Sequence, residues 1–212
     1  MNSKLKILSN YFWLFIVGSI LGWVIEGIYS LIMYGKLINN TCVVIGPFNM
    51  IYGLGAVALT LFLKNSQNDS YIKLFLISFI SGSLVEYIIS FLSEKIMGFT
   101  AWDYSESFLN INGRVCLLMS FLWGILGIIW IKFLYPHIAK IISKMHTKKW
   151  NIGAIVLTIF LILDGILTMS AVNRAKNKEQ GVEPANAYER FLDKTFNKKY
   201  LKNMYNDTWY NE

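Results

Sequence analysis

Three acidic side chains lie inside long apolar stretches of this sequence. They are Glu26 in YFWLFIVGSILGWVIEGIYSLIMY, Glu86 in IKLFLISFISGSLVEYIISFL and Asp164 in NIGAIVLTIFLILDGILTMSAV. An ionisable group at membrane depth is costly, so such residues usually face a cavity or a partner and mark ion or substrate paths. Carboxyl groups there could exchange protons, bind a cation or supply acid–base chemistry. The sequence therefore predicts a buried polar site without identifying its substrate.

The stretches that carry these residues are long enough to span a bilayer. Of the 212 residues, 55% are hydrophobic and 16% are charged, whereas about a quarter of a soluble domain is charged. Roughly 20 apolar residues cross about 30 Å of hydrocarbon as a helix. We expect an all-α, polytopic membrane bundle over residues 1–172, with about five transmembrane helices at 8–34, 47–63, 72–96, 114–135 and 151–172.

Three further segments complete this architecture. The stretch GKLINNTCVVIG is partly apolar and could dip back into the membrane, which is tolerated only where protein covers its backbone. Beyond Pro136, isoleucines and lysines form separate stripes at helical spacing, which predicts an interfacial amphipathic helix. Residues 173–212 form a polar, basic tail. Its apolar residues predict that it docks on the rest of the protein: Phe191, Leu192, Phe196, Tyr200 and Tyr205.

The lysines and arginines of the short loops indicate an orientation. With a cytoplasmic N-terminus, nine lysines fall on the cytoplasmic side, against Lys36, Lys95 and Arg114 on the other. The tail would then lie outside with eight more basic residues, which conflicts with the rule. The first helix often dominates and long segments count less, so we expect a cytoplasmic N-terminus and leave the side of the tail open.

Depth along the helices predicts which polar residues meet. At 1.5 Å per residue, Glu26 lies about 27 Å along the first span, Glu86 about 21 Å along the third and Asp164 about 20 Å along the fifth. The second and fourth spans return and carry their polar residues early, so all fall in one half of the bilayer. The predicted ligand-binding residues are Glu26, Tyr52, Glu86, Asp103, Asn110, Asn112, Arg114 and Asp164.

These residues have expected roles and a plainer alternative. The three buried acids would supply negative or proton-exchanging groups, and Arg114 the fixed counter-charge. The other four, in the loops and at the span ends, would supply hydrogen bonds at the rim. Three carboxyls face one guanidinium, so either a carboxyl stays protonated or a cationic group completes the site. Alternatively, these residues only pair with one another and hold the helices together.

Several kinds of chemistry lack their sequence signatures. The chain contains no Gly-x-x-x-x-Gly-Lys-Ser/Thr, no His-Glu-x-x-His and no Gly-x-Ser-x-Gly. We therefore assign no catalytic residue and expect no metal or cofactor. The net charge of +7 resides in loops and the tail, which suits anionic lipid rather than nucleic acid. Cys42 and Cys116 are too few for a metal motif, and a disulfide between them stays open.

Beyond this pattern, ordered blocks of residues resemble the putative ABC-transporter type IV family of small bacterial membrane proteins. The blocks are Gly22-Trp23-x-x-Glu26, Gly46-Pro47, Ile51-Tyr52-Gly53, Glu86-Tyr87 with Glu94, Trp102-Asp103-Tyr104-Ser105, Asn110-x-Asn112-Gly113-Arg114-x-Cys116-Leu117, Trp123-Gly124 and, towards the tail, Asp164, Arg174, Gly181, Asn186 and Phe191-Leu192-Asp193. Asn40-Thr41-Cys42 departs from the Asn-Arg-Gly of similar proteins, and Met50 replaces a usual proline. The resemblance implies a permease in the bacterial cytoplasmic membrane.

Together these features favour a membrane transport component or ligand-binding membrane protein. Its buried acidic and arginine pocket would take a small polar or amphiphilic ligand. Without an ATPase motif, energy would come from an ion gradient or a separate ATPase subunit, and the chain could also form a homo-oligomer. The first alternative is a membrane-embedded enzyme acting on a lipid or lipid-linked head group, for which paired carboxyls could do acid–base work. The second is an accessory subunit whose ion pairs only set packing.

Overall fold

The computed structural model describes residues 3–97 and 102–204, and most of these residues are helical. Within them, the only β pairing is an isolated bridge between Ile111 and Val115. Tyr205 of the tail and residues 98–101 of the long connection lie outside the described residues. The helices are α1 (Ser3–Tyr34), α2 (Met50–Leu63), α3 (Tyr71–Met97), α4 (Leu117–Ile129), a π-helical turn (Trp130–Leu134), α5 (Tyr135–Ile142), α6 (Lys148–Glu179), α7 (Ala187–Thr195) and α8 (Lys198–Met204).

Four of these helical stretches are long and apolar enough to cross a membrane, which confirms the predicted all-α fold. They are Lys4–Tyr34, Tyr71–Lys95, Leu117–Ile142 and Lys148–Glu179. The shorter apolar helix α2 has 14 residues, or about 21 Å at the standard rise. It begins at Met50 rather than at Pro47, and α4 begins at Leu117 rather than at Arg114, because turns occupy the residues before both helices.

The predicted amphipathic helix after Pro136 is continuous with α4, within the long stretch Leu117–Ile142. In an α-helix a proline lacks one hydrogen bond and clashes with the carbonyl four residues earlier. The π-helical turn just before Pro136 avoids this clash, since the Tyr135 N–H bonds to the Trp130 carbonyl five residues back. The helix therefore passes through the proline and ends at Ile142. Ile138 and Ile142 are buried on one face of α5, whereas Ile141 of the same predicted stripe is exposed.

The chain forms two compact units. The first contains Met1–Ser19 and Met50–Asn151. In it, α3 packs against α2 and α4. Glycines of α4 permit the close approach to α3, because a Cβ at Gly124 would collide with Phe75 and one at Gly127 with Ser78. Such small-residue contacts are the usual basis of helix packing in membranes.

The second unit contains Ile20–Asn49 and Ile152–Glu212. Its core brings residues of the non-helical segment 35–49, α6, α7 and α8 together: Val44, Ala171, Leu192, Phe196 and Leu201. The capping of α7 is local, because the Asn186 side chain accepts from the Glu189 N–H while the Glu189 carboxylate accepts from the Ala185 N–H. Leu192, Phe196 and Tyr200 of the tail thus pack with residues of α6 and of segment 35–49, whereas Phe191 is half-exposed.

Candidate functional site

Glu86 is the buried carboxyl group of the first unit. It lies in the C-terminal half of α3 and is 7% exposed. Its Oε2 accepts from the indole N–H of Trp123 on α4 at 3.1 Å, and its Oε1 accepts from the hydroxyl of Tyr104 at 3.3 Å. Both donors are neutral. Within residues 3–97 and 102–204, no salt bridge joins Glu86 to a cation.

Two glycines hold the Trp123 ring against this carboxylate. A Cβ at Gly82 of α3 would lie 2.5 Å from Trp123 Cγ, and a Cβ at Gly55 of α2 would lie 2.7 Å from the far edge of the indole. No other residue type leaves these spaces open. The indole thus fills a slot between α2 and α3. One turn away, the Ser83 hydroxyl donates to the Ser120 hydroxyl at 2.6 Å, which is a second polar contact between α3 and α4.

The loop before α4 is ordered by its own polar side chains. Asp103 Oδ1 accepts from the N–H of Ser105 at 2.9 Å and from its hydroxyl at 2.5 Å. These bonds, the hydroxyl first, hold the pKa of Asp103 below its ordinary value. The Asn110 amide donates to the carbonyls of Ser105 and Ser107, and its oxygen accepts from the Gly113 N–H. Asp103 and Asn110 therefore shape the loop.

Tight turns in this loop depend on Asn112 and Gly113. Both have positive φ, 54° and 67°, a conformation that asparagine and glycine adopt most readily. A Cβ at Gly113 would also lie 2.5 Å from the Asp103 carboxylate. The Asn112 amide donates to the Tyr87 hydroxyl of α3 at 2.9 Å, so the loop is fastened to the helix that carries Glu86.

Arg114 pairs with a carboxylate that was not among the predicted partners. Its guanidinium forms a salt bridge with Glu94, donates to the Ser90 hydroxyl at 3.4 Å and lies over the rings of Tyr87 and Phe91. These four residues follow one face of α3 at helical spacing. The arginine side chain is 14% exposed and that of Glu94 is 44% exposed. Arg114 thus neutralises a half-exposed acid, and its buried Nε has no hydrogen-bond partner in the described part of the chain.

Asp164 is the buried carboxyl group of the second unit. It lies on α6, is 2% exposed, and its Oδ1 accepts from the Ile45 N–H at 3.2 Å. Its Oδ2 is buried and has no hydrogen-bond partner among the described residues. One turn along α6, the Thr168 hydroxyl accepts from the Val44 N–H at 3.0 Å. The Tyr200 hydroxyl of α8 donates to the Val44 carbonyl at 2.7 Å. Side chains of α6 and α8 therefore form hydrogen bonds with backbone groups of Val44 and Ile45 in segment 35–49.

Glu26 and the residues around it belong to the same unit. Glu26 on α1 accepts from the Asn40 amide at 3.3 Å, and the Trp23 indole donates to the Asn39 side chain at 2.6 Å. Asn40 has a positive φ of 43°. The segment is closed by a hydrogen bond from the Cys42 N–H to the Phe48 carbonyl, at 3.0 Å. Both Cys42 and Cys116 are thiols rather than halves of a disulfide.

The predicted residues are therefore divided between the two units. Six of them lie in the first unit: Tyr52, Glu86, Asp103, Asn110, Asn112 and Arg114. Glu26 and Asp164 lie in the second. Within the first unit, the structure connects Glu86, Asn112 and Arg114 to one stretch of α3, and Tyr52 lies half-buried on α2. That all eight bind one ligand stays a prediction.

Sequence reasoning missed the direct partners of the buried acids. Trp123 and Tyr104 donate hydrogen bonds to Glu86, and Glu94 forms a salt bridge with Arg114. Thr168 accepts from the Val44 N–H one turn from Asp164. A signal existed for Glu94, which follows Tyr87 by seven residues and thus lies two turns along nearly the same face of α3. For Trp123 the signal is the presence of Gly55 and Gly82, which leave room for its ring. Only the tertiary structure shows that these glycines face that ring.

A mixed-charge cleft lies on the tail side of the second unit. Arg174, which is 4% exposed, donates two hydrogen bonds to the Asp193 carboxylate, at 3.1 and 2.9 Å, and one to the Val182 carbonyl. This guanidinium holds the pKa of Asp193 below its ordinary value. Beside the pair is a cavity of about 150 Å³, lined by residues of α6, α7 and α8. None of the eight predicted ligand-binding residues lines it.

The helices and their composition define a multi-pass α-helical membrane protein. Its residues 13–169 match the family described as Putative ABC-transporter type IV, and the chain belongs to this family. The match contains all eight predicted site residues and ends before Arg174, so the tail lies beyond it. Comparisons with curated proteins and with solved structures give no match.

Proposed function

We propose that this protein is the permease-like, membrane-embedded component of a transporter in the bacterial cytoplasmic membrane. The observation that carries the proposal is the buried carboxyl group of Glu86 inside a membrane-spanning helix. Residues of this kind usually mark an ion or substrate path, since a carboxyl group is costly at membrane depth when it only packs. Family membership supports a transport role, and the buried carboxyl group supplies a place where it could act.

The contacts of Glu86 favour a role beyond helix packing. A carboxylate held only by neutral donors in an apolar surrounding retains an uncompensated charge. A proton, a cation or the cationic group of a ligand would compensate it. The Tyr104 hydroxyl, offered from the loop, could be displaced by such a ligand, whereas the wedged Trp123 would remain. Glu86 and Tyr104 are therefore the proposed contacts of the ligand, and Tyr52 and Asn112 of the same unit are further candidates.

Arg114 suits an anionic group of the same ligand. Its partner Glu94 is half-exposed, and an exposed ion pair contributes little to stability. A carboxylate or phosphate could therefore replace Glu94 and take the planar, bidentate pairing that guanidinium offers. A small polar or amphiphilic ligand with both charges would suit Glu86 and Arg114 together.

The energy source would lie outside this chain. The sequence contains no P-loop, so transport would depend on a separate ATPase subunit or on an ion gradient. Everted membrane vesicles from overexpressing and deletion strains, given either ATP or an imposed pH gradient, can distinguish these sources. Mass spectrometry of the vesicle contents should find a solute whose accumulation requires the protein and one energy source. Chemical conversion of a membrane lipid with no solute difference would instead support the enzyme alternative.

Orientation can be tested separately by labelling. We propose a cytoplasmic N-terminus. Single cysteines introduced at Gln67 and at Lys148 should then resist a membrane-impermeant thiol reagent in intact cells, and one at Ser107 should react. The reverse pattern would overturn the orientation without affecting the contacts of Glu86. A cysteine at Lys198 would report the side of the tail.

A further inference from the structure

We propose that Asp164 is a proton-binding site, with the proton on Oδ2, at the place where segment 41–49 meets α6. This inference rests on the proposed transport function only for the role that the bound proton would have. The protonation itself follows from the geometry of the second unit and can be measured in protein that transports nothing.

The two oxygens of Asp164 have unequal surroundings. Oδ1 accepts from the Ile45 N–H, while Oδ2 is buried with no donor among the described residues. Glu86 differs, because each of its oxygens accepts a hydrogen bond. A buried carboxylate with only one donor is strongly disfavoured, whereas a carboxylic acid needs no counter-charge. Oδ2 is therefore the oxygen that would carry the proton.

The charged and titratable groups around Asp164 do not supply a counter-charge. Residues 151–173 of α6 contain no other ionisable side chain, and residues 41–49 contain only Cys42, whose thiol donates to Asn49. From α8, the Tyr200 hydroxyl donates to the Val44 carbonyl. From α7, Asp193 is engaged by Arg174. A thiol and a phenol are neutral near pH 7, so neither compensates a carboxylate.

The chemistry of the site favours a proton over a metal cation. Asp164 and its neighbour Thr168 accept hydrogen bonds from the N–H groups of Ile45 and Val44, and such donors repel a cation. Sodium and similar ions need several oxygen ligands instead. On release, the O–H bond at Oδ2 breaks, the proton passes to water, and both electrons remain on the carboxylate. The new charge would then draw further N–H donors from residues 44–46, which links proton release to the shape of this segment.

Infrared spectroscopy tests this directly, since a protonated carboxyl group has a C=O stretching band that a carboxylate lacks. Protein carrying ¹³C in its aspartate side chains, reconstituted in lipid, separates the Asp band from that of any protonated Glu. The pKa values of Asp69, Asp103 and Asp193 are held below the ordinary value, by Lys73, Ser105 and Arg174 respectively. These aspartates are therefore ionised at neutral pH.

We expect an isotope-shifted band at pH 7 in the wild type, lost as the pH is raised and absent from Asp164→Asn. The matched variant Glu86→Gln should retain it. If Asp164→Asn does not fold, Asp207→Asn serves as the second variant, since Asp207 is the other aspartate of the sequence. Absence of the band from the wild type at pH 7, or its loss in Asp207→Asn, would overturn the proposal. A band that persists in folded Asp164→Asn would also overturn it, and one that disappears when sodium replaces choline would make this a sodium site instead. Wild-type protein that shows the band but transports no solute would count against the proposed function only.

Discussion

Alanine at Gly82 would place a methyl group within 2.5 Å of Trp123 Cγ and 2.6 Å of its Cβ. These two atoms are fixed close to the backbone of α4, so no change of side-chain rotamer can remove the clash. The helices α3 and α4 would have to separate, and the hydrogen bond from the Trp123 indole to Glu86 would weaken. The expected consequence is a loss of stability together with a disturbed environment for Glu86.

The size of this loss follows from three contributions. Overpacking costs about 1–3 kcal/mol. An interhelical polar contact in a membrane protein contributes about 0.6 kcal/mol on average and at most about 1.7. The higher helix propensity of alanine relative to glycine offsets about 1 kcal/mol of this loss. We therefore expect Gly82→Ala to lower the free energy of unfolding by about 1–4 kcal/mol.

Two other glycines serve as matched controls. At Gly55 the added methyl would meet only the far edge of the Trp123 ring, which can tilt, so Gly55→Ala should be milder. At Gly165 of α6 nothing lies within 4 Å, so Gly165→Ala should be neutral or stabilising. Unfolding by SDS in mixed micelles gives the free energies. A Gly82→Ala protein as stable as Gly165→Ala would refute the wedged position of Trp123.

Two ion pairs give the remaining predictions. The losses of stability caused by Arg114→Gln and Glu94→Gln should not add in the double variant. Those of Arg114→Gln and Asp69→Asn should add, because Asp69 lies just before the first turn of α3 whereas Arg114 contacts its C-terminal part. Additive losses for the first pair, measured by thermal unfolding, would exclude the pairing. Because Arg174 lowers the pKa of Asp193, their pair should stabilise the packing of α7 at neutral pH and lose this effect only as the pH falls through that lowered pKa. Limited proteolysis should therefore release the tail of the wild type only in acid, whereas it should release the tail of Asp193→Asn already at neutral pH. Equal cleavage of the two proteins at neutral pH would contradict this.

Much of the helical architecture could be predicted from the sequence because bilayer thickness sets helix length. Apolar stretches of more than 20 residues have few alternatives, and the long helices appear where such stretches lie. The burial of Glu86 and Asp164 also followed from their positions within these stretches. The sequence did not predict that the helix continues through Pro136, because periodicity does not distinguish a π-helical turn that accommodates a proline from a break in the helix.

The partners of the polar residues were harder to predict, for a geometric reason. Distance along a helix gives the depth of a residue but not the direction in which its side chain points. Arg114 was therefore matched with acids at a similar depth, and Glu94, nearer the end of α3, was overlooked. The polar character of Asp103 and Asn110 predicts rim groups, yet their hydrogen bonds close turns within the loop.

The central claim is that Glu86 serves transport rather than packing, and one substitution tests it most directly. Glu86→Gln keeps the shape of the side chain and an oxygen that can accept from Trp123, so the variant should fold with little loss of thermal stability. Solute accumulation in everted vesicles should nevertheless be abolished, while Glu106→Gln, in the exposed part of the loop, should leave it unchanged. A folded Glu86→Gln protein with wild-type accumulation would contradict the account.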